Sequence, residues 1–148
     1  ANEIQRMSAG TGVVHSEFNP SKTEPVHFFQ IWIQPATTGT PSSYQQIRFE
    51  PKEKQGKFKL LASSKGEDGA AKINQDAQIS AAELAKGDEL SYALGTQRYA
   101  WLHVIHGNVT VNGTTLKTGD AGAVSGEDRL TIAGNSSEPS EILLFDLA

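Results

Sequence analysis

With 148 residues, 37 % of them hydrophobic and 20 % charged, the chain has the size and composition of one folded domain, or of one domain and part of another. Its net charge of −4 argues against a nucleic-acid partner, and the lack of cysteine excludes disulfides, thiolate metal sites and a cysteine nucleophile. No apolar run approaches the roughly 18–20 residues that span a bilayer, so no membrane partner is expected, and the cysteine-free composition fits a cytoplasmic protein.

The first patterned stretch is Arg6-Met7-Ser8-Ala9-Gly10-Thr11-Gly12-Val13-Val14-His15-Ser16-Glu17-Phe18-Asn19-Pro20. If Val13 to Glu17 is a strand, side-chain alternation puts His15 and Glu17 on one face and Ser16 on the other. One neutral nitrogen and one anionic oxygen make half of a metal site of the His/carboxylate type. Ala1 has no preceding Met and patterned sequence begins at once, so the chain reads as lacking an upstream portion; a processed terminus is the competing reading. Gly10 and Gly12 lack the third glycine and the helix of a dinucleotide fingerprint, and a turn with positive φ suffices to explain them.

Short β-like runs follow. Val26 to Ile33 is rich in aromatic and branched residues, and Pro35 to Ser43 has the composition of a loop or linker. Tyr44 to Phe49 reads as a short strand or an extended arm, Pro51 to Lys57 as a turn, Phe58 to Ala62 as a strand and Ser63 to Ala70 as a loop. Ser80 to Gly87 is balanced between a helix capped at Gly87 and a strand leading into a turn. Tyr99 to His106, Val109 to Val111, Leu130 to Ala133 and Glu141 to Phe145 are strands, and Asn112-Gly113 between β-branched runs signals a hairpin. Strands and turns at intervals of about 8–12 residues predict a sandwich or barrel of short antiparallel strands.

The Arg6 to Pro20 motif, a polar gap and His27-Phe28-Phe29-Gln30-Ile31-Trp32-Ile33 resemble the pirin family, bicupin proteins of the cupin superfamily, and in particular its bacterial members with quercetin 2,3-dioxygenase activity. The likeness is specific through residues 4–35 and looser from Tyr44 to the terminal Leu143-Leu144-Phe145-Asp146-Leu147. It implies an all-β, cupin-type antiparallel barrel. Residues 1–35 would be the C-terminal part of a first, metal-binding cupin, 36–55 a linker, and 56–148 a second, metal-free cupin. It further implies a mononuclear metal held by three histidines and a glutamate. His15 and Glu17 match two of these ligands, and a His-x-His motif that this sequence does not contain would supply the others. The metal would be Fe(II), with other transition metals accepted by the same donors.

The activity so implied is cleavage of a flavonol-like aromatic substrate by O₂ with release of carbon monoxide. Glu17 would be a ligand, and also the base for the flavonol hydroxyl if it dissociates from the metal during turnover. Gln30 is placed either beside the metal or in an ordinary cross-strand hydrogen bond; Phe28 and Trp32 either wall the substrate pocket or pack a core. The chain alone would be inactive, its open strand edge covered by an upstream fragment or a swapped partner chain. A different class, a non-catalytic metal- or redox-sensing regulator that binds a protein, is the alternative. His27, His103 and His106 read as structural, because His103 and His106 fall on opposite faces of a strand and cannot share one ion. Asp120, Glu127 and Asp128 read as solvated turn residues.

Overall fold

The computed structural model describes residues 2–148. Twelve strands are formed: β1 (Glu3–Ser8), β2 (Ser43–Arg48), β3 (Lys59–Ser63), β4 (Ala71–Lys72), β5 (Ala77–Leu84), β6 (Glu89–Ala93), β7 (Tyr99–His106), β8 (Asn108–Val111), β9 (Thr114–Lys117), β10 (Ala121–Val124), β11 (Arg129–Gly134) and β12 (Ser140–Leu147). Helix is confined, among the described residues, to two single 3-10 turns at Pro51–Glu53 and Glu67–Gly69. The balanced segment at Ser80–Gly87 resolves as strand β5, because its alanines are needed between two packed layers. No described helix is long and apolar enough to cross a membrane.

A six-stranded sheet runs in the order β10-β7-β12-β5-β3-β4 and faces a four-stranded sheet in the order β6-β11-β8-β9. Pairing is antiparallel except between β3 and β4, which run parallel at the sheet's edge. Between the two sheets lie Leu84, Leu102, Val104, Val109, Leu130, Ile132, Ile142 and Leu144, all essentially inaccessible. Every second residue of β7 and β12 enters this layer, as period-2 patterning requires. The hairpin at Asn112-Gly113 joins β8 to β9, and both residues have positive φ, 44° and 85°, as a two-residue hairpin turn demands.

The six-stranded sheet is apolar on its other face too. Leu61, Ala62, Ile79, Ala81 and Leu143 form a second core there, joined by Ile105 and Phe145. It is covered by the β1–β2 ribbon, which lays Ile4, Ile47 and Phe49 on it, and by Ile33.

Strands were expected over Val13–Glu17 and Val26–Ile33, and neither forms: residues 9–42 contain no strand. The alternation of side chains is present, but no strand of the described chain runs alongside to complete a ladder, and a strand exists only by pairing. The segment is instead an arm fastened at points. Asn19 Oδ1 accepts from Ser21 N–H at 3.0 Å, and Ser21 Oγ accepts from Glu24 N–H at 2.9 Å. Further on, Gln75 Nε2 donates to the Gln34 carbonyl at 2.9 Å, and Ala36 N–H donates to the Asn74 carbonyl at 2.7 Å.

Two polar clusters fix the barrel. Glu83 on β5 lies directly opposite Glu141 on β12. The buried Lys54 ammonium contacts both, donating to Glu141 and lying 3.9 Å from Glu83 Oε2. Elsewhere, the buried Asp146 carboxylate of β12 accepts from the Tyr92 hydroxyl of β6 at 2.7 Å and from Arg98 Nε, while Arg98 Nη1 donates to Asp76 Oδ1 at 3.0 Å. Because β6 and β12 belong to different sheets, this cluster bolts the sandwich shut.

Two predictions test this packing. Gly134 hydrogen-bonds through its carbonyl to Gly87 N–H and through its own N–H to the Asp88 carbonyl, both at 2.9 Å, and a Cβ at Gly134 would lie 2.4 Å from the Ala85 carbonyl oxygen. Gly134→Ala is therefore expected to cost about 1–3 kcal/mol, read as a melting-temperature fall of about 2–4 °C per kcal/mol. For Tyr92, burial first and the Asp146 carboxylate second hold the phenol well above its ordinary value of 10.0. The unfolded phenol ionises near pH 10 while the folded one keeps its proton. Its contribution is thus complete below pH 10 and is lost as the pH rises above it. Tyr92→Phe is expected to be less stable at pH 7 by about 1–2 kcal/mol but to lose stability less steeply above pH 10, measured by urea unfolding.

Candidate functional site

His15 and Glu17 lie just beyond the turn at Gly10–Gly12, where Gly12 N–H donates to the Ala9 carbonyl at 2.9 Å. No strand holds them, yet their side chains converge. His15 Nε2 stands 3.9 Å from Glu17 Oε1, with the imidazole 36 % and the carboxylate 41 % exposed. A neutral imidazole nitrogen and a carboxylate oxygen at this separation suit a divalent transition metal in kind. In number they are two donors where three or four protein ligands are usual. Among the described residues no group of three or more His, Cys, Asp or Glu side chains is placed to hold a metal ion.

The arm passes from this pair across the outer face of the six-stranded sheet. Phe29 meets His103 of β7 edge-on, with ring centroids 5.2 Å apart, and His27 leans on Phe29 at 4.9 Å. Further along, Ile31, Trp32 and Ile33 form one wall of a groove of about 400 Å³ whose floor is Ile79, Phe145 and Leu147. His103 thus faces outward with Trp101 and Ile105, not into the barrel, while His106 is exposed at the end of β7 beyond a bulge. The barrel interior is filled by aliphatic side chains.

The pocket residues expected from the sequence are all solvent-exposed here. Phe28 is 60 % exposed, and Trp32, at the rim of that groove, is 88 % exposed. Gln30 is exposed as well, and it is not brought to His15 or Glu17 by any hydrogen bond among the described residues. Two contacts have no local signal in the sequence. Phe29 meets His103 across 74 positions, and Arg98 reaches Asp146 across 48. Such pairings follow from topology and not from spacing.

An all-β sandwich of these two sheets, with its aliphatic rows turned inward, is a cupin-type fold. A family model described as the quercetinase C-terminal cupin domain matches residues 60–147, and one described as pirin matches residues 1–33. The chain belongs to the pirin family. The quercetin 2,3-dioxygenase of Escherichia coli K12 is 42 % identical over 147 residues, which is 99 % of this chain and 62 % of that protein. The crystal structure of YhhW from Escherichia coli superposes with a TM-score of 0.91 at 39 % identity, covering 100 % of this chain and 61 % of that one. The bacterial pirin YhhW in complex with nickel(II) gives 0.89 at 39 % identity, covering 99 % of this chain and 62 % of that one. The chain spans less than two thirds of the length of these relatives.

The contact of Phe29 with His103 is expected to clamp the arm. Phe29→Ala or His103→Ala should speed chymotryptic cleavage after Phe28 and Trp32 by about 2–10-fold, the worth of one aromatic pair. His106→Ala should leave the rate unchanged; equal rates in all four proteins would show that the clamp lies elsewhere.

Proposed function

We propose that the chain carries part of the metal site of a flavonol-cleaving dioxygenase, with His15 and Glu17 as two of the ligands. The observation that carries this reading is the convergence of an imidazole nitrogen and a carboxylate oxygen to 3.9 Å inside the motif that resembles the pirin ligand segment. The separate family matches over residues 1–33 and 60–147 support a division into the end of a first barrel, residues 1–35, a connection, 36–55, and a second barrel, 56–148. The relative named as a quercetin 2,3-dioxygenase supports a flavonol substrate, and the nickel(II) complex of another supports a transition metal. Fe(II) is the metal we assign, on the pirin resemblance; the same donors accept nickel(II) and other transition metals.

When bound, the metal supplies Lewis-acid and redox chemistry toward the flavonol and O₂. His15 offers a neutral nitrogen lone pair and must be deprotonated to do so. Glu17 supplies negative charge, and its carboxylate is the base that takes the proton of the flavonol hydroxyl. Phe28 and Trp32, apolar and exposed on the arm, are suited to wall an aromatic substrate and exclude water.

Oxygen uptake with quercetin, measured beside bound metal on the natural full-length product, tests the reading. His15→Ala should bring both activity and metal to background. Glu17→Gln should keep more metal than activity, since it retains an oxygen donor and loses charge and basicity. His106→Ala should leave both close to wild type. Full turnover in His15→Ala would overturn the assignment. Metal retained by the wild type without any oxygen uptake would favour a metal-sensing regulator instead.

A further inference from the structure

The face of the β1–β2 ribbon that meets the barrel changes character along its length. Ile4 pairs with Ile47 and packs on the outer core; two positions on, Arg6 lies opposite Gln45, and then Ser8 opposite Ser43. The Arg6 guanidinium is gripped entirely by neutral groups. Nη1 donates to Ser43 Oγ at 2.6 Å and to Ser8 Oγ at 3.2 Å, and Nη2 donates to Gln45 Oε1 at 3.4 Å. Its Nε is buried and has no partner among the described residues. Together with Lys72 of the edge strand β4 and with Thr40, Arg6, Ser8 and Ser43 line a pocket of about 210 Å³.

No carboxylate lines this pocket, and among the described residues neither Arg6 nor Lys72 is paired with one, although the chain as a whole carries a net charge of −4. Two cations have therefore been brought together without a counter-charge. A hydroxyl that accepts from a guanidinium keeps its own proton to give, so Ser8 and Ser43 remain donors toward the pocket. Gly10 supports the arrangement. Its φ is +59°, and a Cβ there would lie 2.8 Å from Ser42 N, so glycine lets the turn rest against the segment that carries Thr40. Gly10 is thus explained by this close approach as well as by the turn, whereas Gly12 meets nothing.

We propose that this pocket binds a small tetrahedral oxyanion of the phosphate or sulfate class, as the free ion or as the terminal group of an ester. A planar, forked guanidinium already oriented by its neighbours, an ammonium and polarised hydroxyls are the donor set for such a group. The pocket makes no use of His15 or Glu17, so this inference stands apart from the metal reading.

The test is a titration of the isotopically labelled chain, followed by amide shifts, with inorganic phosphate, glycerol phosphate, acetate and sodium chloride at matched ionic strength. Saturable shifts at Ser8, Thr40, Ser43 and Lys72 are expected with phosphate and not with chloride or acetate. Arg6→Gln should weaken phosphate binding about tenfold or more, the loss of a charged donor, and Lys72→Gln several-fold. Equal binding of glycerol phosphate would assign the site to an ester, and weaker binding to the free ion. Should Arg6→Gln fail to fold, Lys72→Gln carries the test, because the Lys72 side chain makes no hydrogen bond among the described residues. No saturable shift with phosphate in the wild type, an equal response to chloride, or undiminished binding in the folded variants would overturn the proposal.

Discussion

The rest of the molecule follows from one condition: the six-stranded sheet is apolar on both faces. Its inner face is satisfied by the smaller sheet, in the usual way of a β-sandwich. Its outer face carries Ile79, Ala81, Leu143 and Phe145 in register across β5 and β12, with His103 and Trp101 beside them on β7. Water cannot be left against that surface, so the chain before the barrel is drawn over it as a ribbon and an arm. The N-terminal third is thereby a third layer, and its path is dictated by a face it does not itself contain.

That dependence separates what was legible in the sequence from what was not. Strands β7, β8, β11 and β12 announce themselves by alternation, and Asn112-Gly113 marks its hairpin, because these signals are local. Segment Ser80–Gly87 was ambiguous because alanine suits a helix and also suits a strand squeezed between two layers; only the layers decide. Residues 13–17 and 26–33 have strand patterning and no ladder, since alternation describes which way side chains point and says nothing about who lies next door. For the site, His15 and Glu17 were legible as a pair because their spacing is short. The acid–base cluster of Arg98, Asp146 and Tyr92 and the pocket at Arg6 were not, as each is assembled from strands far apart in the chain.

The placement of the candidate ligands has its own physical meaning. His15 and Glu17 sit in a stretch with few buried contacts, between the turn at Gly10–Gly12 and the hydrogen-bonded loop at Asn19–Glu24. Local stability in such a segment is low. Stiffness there must be imported from whatever packs on it, and Phe29 seated against His103 is one visible anchor. A metal site needs ligands held to within a fraction of an ångström, so in the proposed reading the sandwich would serve as a foundation by fixing one end of the arm that carries His15 and Glu17.

Lys54 shows where that foundation begins. Two glutamates placed directly across adjacent strands repel each other, and here Glu83 and Glu141 are so placed. The charge that reconciles them comes from outside both strands, from a residue ahead of the segment matched by the cupin family model. A barrel excised at residue 56 would therefore keep all of its inner strands and lose the ion that lets two of them lie side by side. Its electrostatic border, at Lys54, lies ahead of its geometric one, and shortened forms of the protein should be cut with the former in mind.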